Sequence, residues 1–278
     1  MVRSLYSAAS GMMSQQTSVD TIANNLANVN TIGYKYQSTE FKTLLYQTLQ
    51  TRTTSANGEE KPVSAQVGLG SRVSALTAHY TQGSTTASES DTDFAIEGKG
   101  FFGILNPNAT GDGTDDVLYT RNGHFGFALS TTGVTLTTSD GYPVLSSDGQ
   151  PIELDAAEYD ISKISVNSEG ALLYPDEENN PQLIGMQIGL FQFSNPSGLN
   201  QVGGSYLAQS DASGGPLNEA DGDVTSRSKL AQNYLESSNV NVATEMVNLI
   251  TAQRAYELCS KAITTSDTMM EQANNLKR

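Results

Sequence analysis

The chain has 278 residues, with 15 Lys and Arg against 30 Asp and Glu, so its formal net charge is −15. A balance this acidic disfavours binding to phosphate backbones or anionic membranes. One cysteine, Cys259, excludes an internal disulfide and a Cys-based zinc site, and two histidines, His79 and His124, leave little for imidazole chemistry.

The N-terminal residues include Arg3, but no apolar run of a secretory signal follows, so no cleaved signal is expected. No stretch approaches the roughly 18–20 apolar residues of a membrane span. The first predicted element is a helix. Leu5, Met12, Val19 and Leu26 recur every seven residues. Ala8, Ile22 and Val29 follow three of them at a spacing of three, with Gln15 as the polar break. This is the a/d spacing of a helix that packs along a seam. The pattern stops in residues 28–33, where Asn and Gly tolerate positive φ and suit a helix end. Residues 34–66 lose periodicity after Leu45 and read as an extended connector, polar and turn-prone over 51–61.

Residues 67–224 read as a β-rich domain. Residues 94–96, 100–105, 134–137, 161–166 and 184–193 are strand candidates. The dipeptides Asn122-Gly123, Asp140-Gly141 and Asp148-Gly149 punctuate them as turns. Turn signals about every ten residues suggest an all-β sandwich or barrel-like domain. A second short connector is placed at about 225–235.

The last segment, 236–278, returns to helix. Val242, Leu249, Tyr256, Ile263 and Met270 are five successive heptad positions, and Met246, Ala252, Cys259 and Ala273 widen the stripe. Asn241 or Asn239 can cap its start, and Glu257 with Lys261 forms an i,i+4 pair in the favourable order. Cys259 falls near the stripe and reads as a small core residue rather than a reactive thiol. The fold class is therefore α+β: terminal helices (1–33 and 236–278) pairing as an antiparallel coiled coil, an extended connector, and a central all-β domain.

Charge follows the same division. Residues 1–35 carry a net +1 and residues 236–278 a net −1, so the whole −15 lies in 36–235. Near-neutral, apolar-striped ends can stack without like-charge repulsion. A lone helical hairpin buries little, so the ends are expected to be poorly ordered in the monomer and to gain order by packing against other copies.

Chemistry-bearing motifs are weak. Residues 98–103, Gly-Lys-Gly-Phe-Phe-Gly, match GxGxxG, but strand-like residues follow where a dinucleotide site needs a helix. Strand-end glycines and a buried Phe pair are the better reading. Asp112, Asp115 and Asp116 lack the Glu that an EF-hand requires, because position 123 is Gly. They read as an acidic loop, and Asp221 and Asp223 make no stronger case. There is no GxSxG elbow and no HExxH. No catalytic residue, cofactor or metal is predicted. A carbohydrate-active site would need two carboxylates facing across a cleft, and nothing singles out such a pair.

Residues 22–31, Ile-Ala-Asn-Asn-Leu-Ala-Asn-Val-Asn-Thr, resemble the N-terminal signature of bacterial flagellar rod and hook proteins. Asn24, Asn25, Leu26 and Asn28 carry that signature. The resemblance continues through 66–73, 82–83, 94–102, 119–125 and 140–145. It closes with 235–242 and 253–257, so it spans nearly the whole chain in order. Within the family it is strongest to the distal-rod branch, with the proximal rod or a hook-type subunit as the runner-up. The loops at 106–116 and 174–181 depart from the pattern.

The resemblance implies a structural subunit exported through the flagellar type III apparatus. Such a subunit polymerises into a rigid helical tube that crosses the periplasm or cell wall and transmits torque from motor to hook. Terminal helices would line the inside, and the β domain would face outward. The implied partners are further copies of the chain, neighbouring rod and hook proteins, and the export apparatus, with surrounding ring proteins as a further candidate. Neither nucleic acid nor membrane insertion is implied. The assembly residues expected on the helix seams are Leu5, Met12, Val19, Ile22, Leu26, Val242, Met246, Leu249, Tyr256, Ile263 and Met270. Residues 46–66 are expected to brace neighbouring subunits. From another class, a secreted β-rich adhesin or binding module remains the alternative.

Overall fold

The computed structural model describes residues 2–50, 65–106, 116–129, 133–155, 159–160, 163–176, 180–222, 224 and 226–276. Residues 51–64 of the expected bracing segment, Asp112, Asp115, Ile161 and Asp223 lie outside them. Contacts divide the chain into two compact units. One comprises Met1–Ala27, Gln37–Ala78 and Asn241–Arg278, the other Asn28–Tyr36 and His79–Val240. N- and C-terminal helices and a central β-rich region give an α+β fold.

The first unit begins with α1 (Val2–Ala27). Its most buried residues are Ser14, Thr21, Ile22 and Asn25, three of them polar. Each polar one is bonded: the Thr21 hydroxyl donates to Thr17 O at 2.8 Å and that of Ser14 to Ser71 O at 3.3 Å. Two ladders follow. β1 (Gln37–Thr43) pairs antiparallel with β4 (Ser71–Ala78) across a bulge at Glu40/Phe41. β2 (Tyr46–Gln50) pairs with β3 (Ala65–Gly68). The Leu44 N–H donates to Gly70 O at 2.9 Å and the Leu69 N–H to Leu45 O at 3.2 Å, joining the ladders into one ribbon. Residues 37–43 and 46–50 of the expected extended connector thus lie in strands.

α2 (Val242–Asn275) closes this unit. Asn241 is its cap, with Oδ1 accepting from the Thr244 N–H at 3.2 Å. Asn239 serves the other unit instead, accepting from the Tyr36 N–H at 2.7 Å and donating to His79 O at 2.8 Å. Glu257 is bonded by Arg254 at 2.8 Å on the exposed face, an i,i+3 pair in place of the expected i,i+4 pair with Lys261. α1 and α2 run in opposite directions: the Ser4 hydroxyl lies 3.5 Å from that of Ser266, and a Cβ at Gly11 would lie 3.1 Å from Cys259 Sγ. Seven residues forward on one helix thus answer seven residues back on the other.

The second unit holds sixteen described strands, and every described pairing in it is antiparallel. β5 (Thr85–Ala87) pairs with β20 (Tyr234–Glu236), and β6 (Phe94–Glu97) with β19 (Lys229–Gln232). The expected connector at 225–235 therefore contributes paired strands. β7 (Phe101–Leu105) and β8 (Val117–Thr120) sit at the centre of a six-stranded sheet. β15 (Leu190–Gln192) and β18 (Leu217–Asn218) extend it beyond β7; β17 (Tyr206–Ala208) and β16 (Asn200–Gly203) extend it beyond β8. One three-stranded sheet orders β11 (Glu153–Leu154), β10 (Val134–Thr138) and β9 (Phe125–Leu129). The other orders β12 (Ser165–Val166), β13 (Ala171–Pro175) and β14 (Pro181–Gln187).

Consecutive strand residues point to opposite faces, and this explains the run at 100–105. Phe102 joins a cluster with Phe94, Ile96, Phe125, Leu136 and Ile188, whereas Phe101 joins Tyr119, Phe193, Leu199 and Leu207. The six-stranded sheet is buried on both faces at its centre, so β7 reads as a continuous apolar run rather than an alternation. The GxGxxG glycines accordingly open a strand, not a helix. Asn122-Gly123 does not close a two-strand hairpin, because β8 and β9 belong to different sheets. There the Asn122 side chain accepts from the His124 N–H at 3.0 Å and turns the chain between them.

Candidate functional site

The helical unit carries the expected assembly residues. Ile22 is buried. Leu5, Met12, Val19 and Leu26 of α1 and Leu249, Ile263 and Met270 of α2 are half-buried. Val242, Met246 and Tyr256 are exposed. The two fully buried positions of α2 are Glu245 and Ala252. With half-buried Leu249, Cys259, Ile263, Ser266 and Met270, they form a stripe at spacings of three, four and seven. That stripe mixes the small Ala252, Cys259 and Ser266 with larger side chains. A second apolar stripe, Val247, Ile250 and Leu258, is left exposed, with Leu258 68% accessible. Its spacing, with Arg254 between Ile250 and Leu258, is also helical, so periodicity alone does not choose between the two faces.

The signature residues divide by role. Asn25 is 0% exposed. Its Oδ1 accepts from the Gln37 N–H at 3.0 Å, and its Nδ2 donates to Gln37 O at 2.8 Å and to Glu245 Oε2 at 3.0 Å. The other Glu245 oxygen accepts from Asn248 Nδ2 at 3.1 Å. One amide thus ties α1 to β1 and to α2 within the helical unit. Asn28, in the β-rich unit, accepts from the Thr31 hydroxyl at 3.1 Å. Asn24 lies on the exposed side of α1.

The β-rich unit holds a buried charge cluster that sequence reading missed. Glu236, 1% exposed, accepts from Lys35 Nζ at 2.5 Å, Arg121 Nη1 at 3.2 Å and the Gly83 N–H at 2.9 Å. Lys35 also donates to Thr81 O at 2.8 Å, and Arg121 Nη2 to Gly98 O at 2.7 Å. Arg121 stands over the Phe101 ring, 5.1 Å from its centroid. Burial pushes both cations below their usual pKa range, and Glu236 beside each pushes back. Gly33 passes so close to Arg121 that a Cβ there would lie 2.7 Å from the Arg121 carbonyl carbon, and its φ is +69°. This is why a glycine stands there: α1 itself ends earlier, at Ala27. A second buried carboxylate, Glu219, accepts from the Ser228 N–H at 2.6 Å and its hydroxyl at 2.8 Å.

The histidines are packing groups. His79 stacks on Tyr36 with centroids 4.5 Å apart. His124 Nδ1 lies 2.7 Å from Asp93 Oδ1, at a ring that is half exposed. An apolar cavity of about 230 Å³ is lined mainly by core residues such as Phe94, Phe127, Leu136 and Leu172. Among the described residues, no group of three or more His, Cys, Asp or Glu is placed to hold a metal ion, and no helix is long and apolar enough to cross a membrane.

Comparison with known proteins matches three segments. Residues 5–35 match the family described as "Flagella basal body rod protein", 95–174 the "Flagellar hook protein FlgE/F/G D1 domain", and 231–276 the "Flagellar basal body rod FlgEFG protein C-terminal". Among similar proteins is the flagellar basal-body rod protein FlgG of Borreliella burgdorferi, 43% identical over the full length of both chains. That of Bacillus subtilis is 37% identical over the full length of both. That of Caulobacter vibrioides is also 37% identical, over 99% of this chain and 100% of its own. The chain therefore belongs to the flagellar basal-body rod and hook protein family, on its FlgG-type distal-rod branch.

Proposed function

We propose that this chain is a structural subunit of the flagellar distal rod, working through packing rather than chemistry. The observation that carries the reading is the two-faced α2. One of its stripes meets α1, and the other, with Val247, Ile250 and Leu258, is apolar and exposed. In this reading α1 and α2 pair as an antiparallel coiled coil, and the exposed stripe packs on further copies and on neighbouring rod and hook subunits. Burial at about 25 cal/mol per Å² of apolar surface drives assembly against the entropy of ordering the ends. Different faces meet in each contact, so growth is heterologous and open-ended, as a tube requires. The helices of residues 1–33 and 236–278 form the inner core, the β-rich domain faces outward, and residues 46–66 brace neighbours. The subunit passes through the flagellar export apparatus. It joins the basal body where the rod crosses the periplasm or cell wall, beside the surrounding rings, and transmits torque.

Hydrogen exchange on the full-length chain, before and after polymerisation, tests this. Slow exchange over 90–230 with rapid exchange over 1–30 and 240–275 in the monomer, followed by protection of both ends in the polymer, is the expected result. Ends strongly protected in a stable monomer that never polymerises would replace the assembly subunit with a self-contained helical hairpin on a β-rich binding module.

A further inference from the structure

We propose that Asn25 and Glu245 are a register lock for the two terminal helices. This rests on the antiparallel pairing proposed above and deepens it. The apolar seams are repetitive. Leu5, Met12, Val19 and Leu26 recur every seven residues on α1, and Leu249, Ala252, Cys259, Ile263 and Met270 follow one another at spacings of three, four and seven on the covered face of α2. A slip of one heptad therefore sets apolar residues against apolar residues again and changes little except at the helix ends. The small side chains along the contact, Ser4 and Gly11 against Ser266 and Cys259, offer no shape that would forbid it.

The Asn25–Glu245 pair does not repeat. In the observed register the Asn25 amide meets the Glu245 carboxylate at 3.0 Å, both groups being buried. One slip sets Asn25 against Ala252 and carries Glu245 past the end of α1; the opposite slip sets Ser18 against Glu245. Either slip takes the Asn25 amide from the Glu245 carboxylate, with only the shorter Ser18 hydroxyl in its place in one register and no residue of α1 in the other, and a buried polar group that loses a hydrogen bond in this way is destabilised. A single buried polar position that selects register at some cost in stability is the best-attested use of such groups in paired helices. The lock is also anchored outside the pair. The same amide exchanges two hydrogen bonds with the Gln37 backbone, so α1 cannot slide against β1 without losing those as well.

The lone cysteine supplies the reporter. A Cβ at position 11 would lie 3.1 Å from Cys259 Sγ, which suits the Cβ-to-sulfur separation across a disulfide. Gly11→Cys reports the observed register, and Ser18→Cys reports the register slipped by one heptad. Both are made in the full-length chain and oxidised under conditions where α1 and α2 are protected from exchange, and the intrachain disulfide is quantified. With the lock intact, Gly11→Cys is expected to cross-link in about tenfold excess over Ser18→Cys. With Asn25→Leu and Glu245→Leu together, which remove both polar groups and leave no buried charge, the ratio is expected to fall to about one while helicity is retained. An unchanged ratio in the double variant overturns the lock and leaves the pairing standing. A ratio of about one with the lock intact overturns the pairing itself, and the lock with it.

Discussion

At the scale of single residues, the most demanding site is Glu236. Its single carboxylate pairs with two buried cations, Lys35 and Arg121. Breaking a buried pair from one side leaves an uncompensated charge, at a cost of about 3–5 kcal/mol. Glu236→Gln keeps the shape and removes the charge, so the β-rich unit is expected to melt roughly 10 °C lower in calorimetry. A shift within about 2 °C would mean that the cluster is not the anchor described. Gly33 belongs to the same site, because any side chain there would meet the Arg121 backbone. The sequence displayed Gly33 as a plausible helix end. Its real partner lies 88 positions away, beyond the reach of any local pattern.

At the scale of elements, the two faces of α2 predict different outcomes. Leu258→Asp lies on the exposed stripe, so it is expected to leave the monomer's melting temperature nearly unchanged and to abolish sedimentable polymer. Leu249→Asp lies in the half-buried stripe, so it is expected to block polymerisation and also to lose the Gly11→Cys cross-link to Cys259, while the β-rich unit stays folded. A Leu258→Asp chain that polymerises normally would contradict the role given to that face. Both helices were legible in the sequence, including the Asn241 cap. The buried face of α2 was legible only in part. Ala252 and Cys259 were seen as widening the stripe, whereas Met246 is exposed and the neighbouring Glu245 is buried. A hydrophobicity pattern counts Glu245 as a surface residue; the amide of Asn25 makes its burial possible.

At the scale of the whole molecule, the alkaline response is expected to report the β-rich unit. Burial pushes the Tyr80 and Tyr119 phenols up to about 12, and burial with the Asp140 carboxylate does the same for Tyr206. A phenol raised above its unfolded value of about 10 contributes stability that is fully present below pH 10 and is lost as pH rises towards 12. Phenolate absorbance should therefore show Tyr80, Tyr119 and Tyr206 ionising together as the unit unfolds above about pH 10. Full phenolate absorbance reached while the β-rich unit is still folded would rule this out. By itself the sequence determined the terminal helices, six of the twenty described strands, the near-neutral ends and the family, because period, turn chemistry and motif order are local or linear properties of the chain. Only the tertiary structure decided which stripe of α2 is covered, how residues 37–50 and 65–78 pair into a ribbon grouped with the helices, and how Lys35, Arg121 and Glu236 converge. Those outcomes depend on contacts between residues far apart in the chain. Whether a charge or an apolar face is buried is set by the partner that arrives, not by its sequence neighbours.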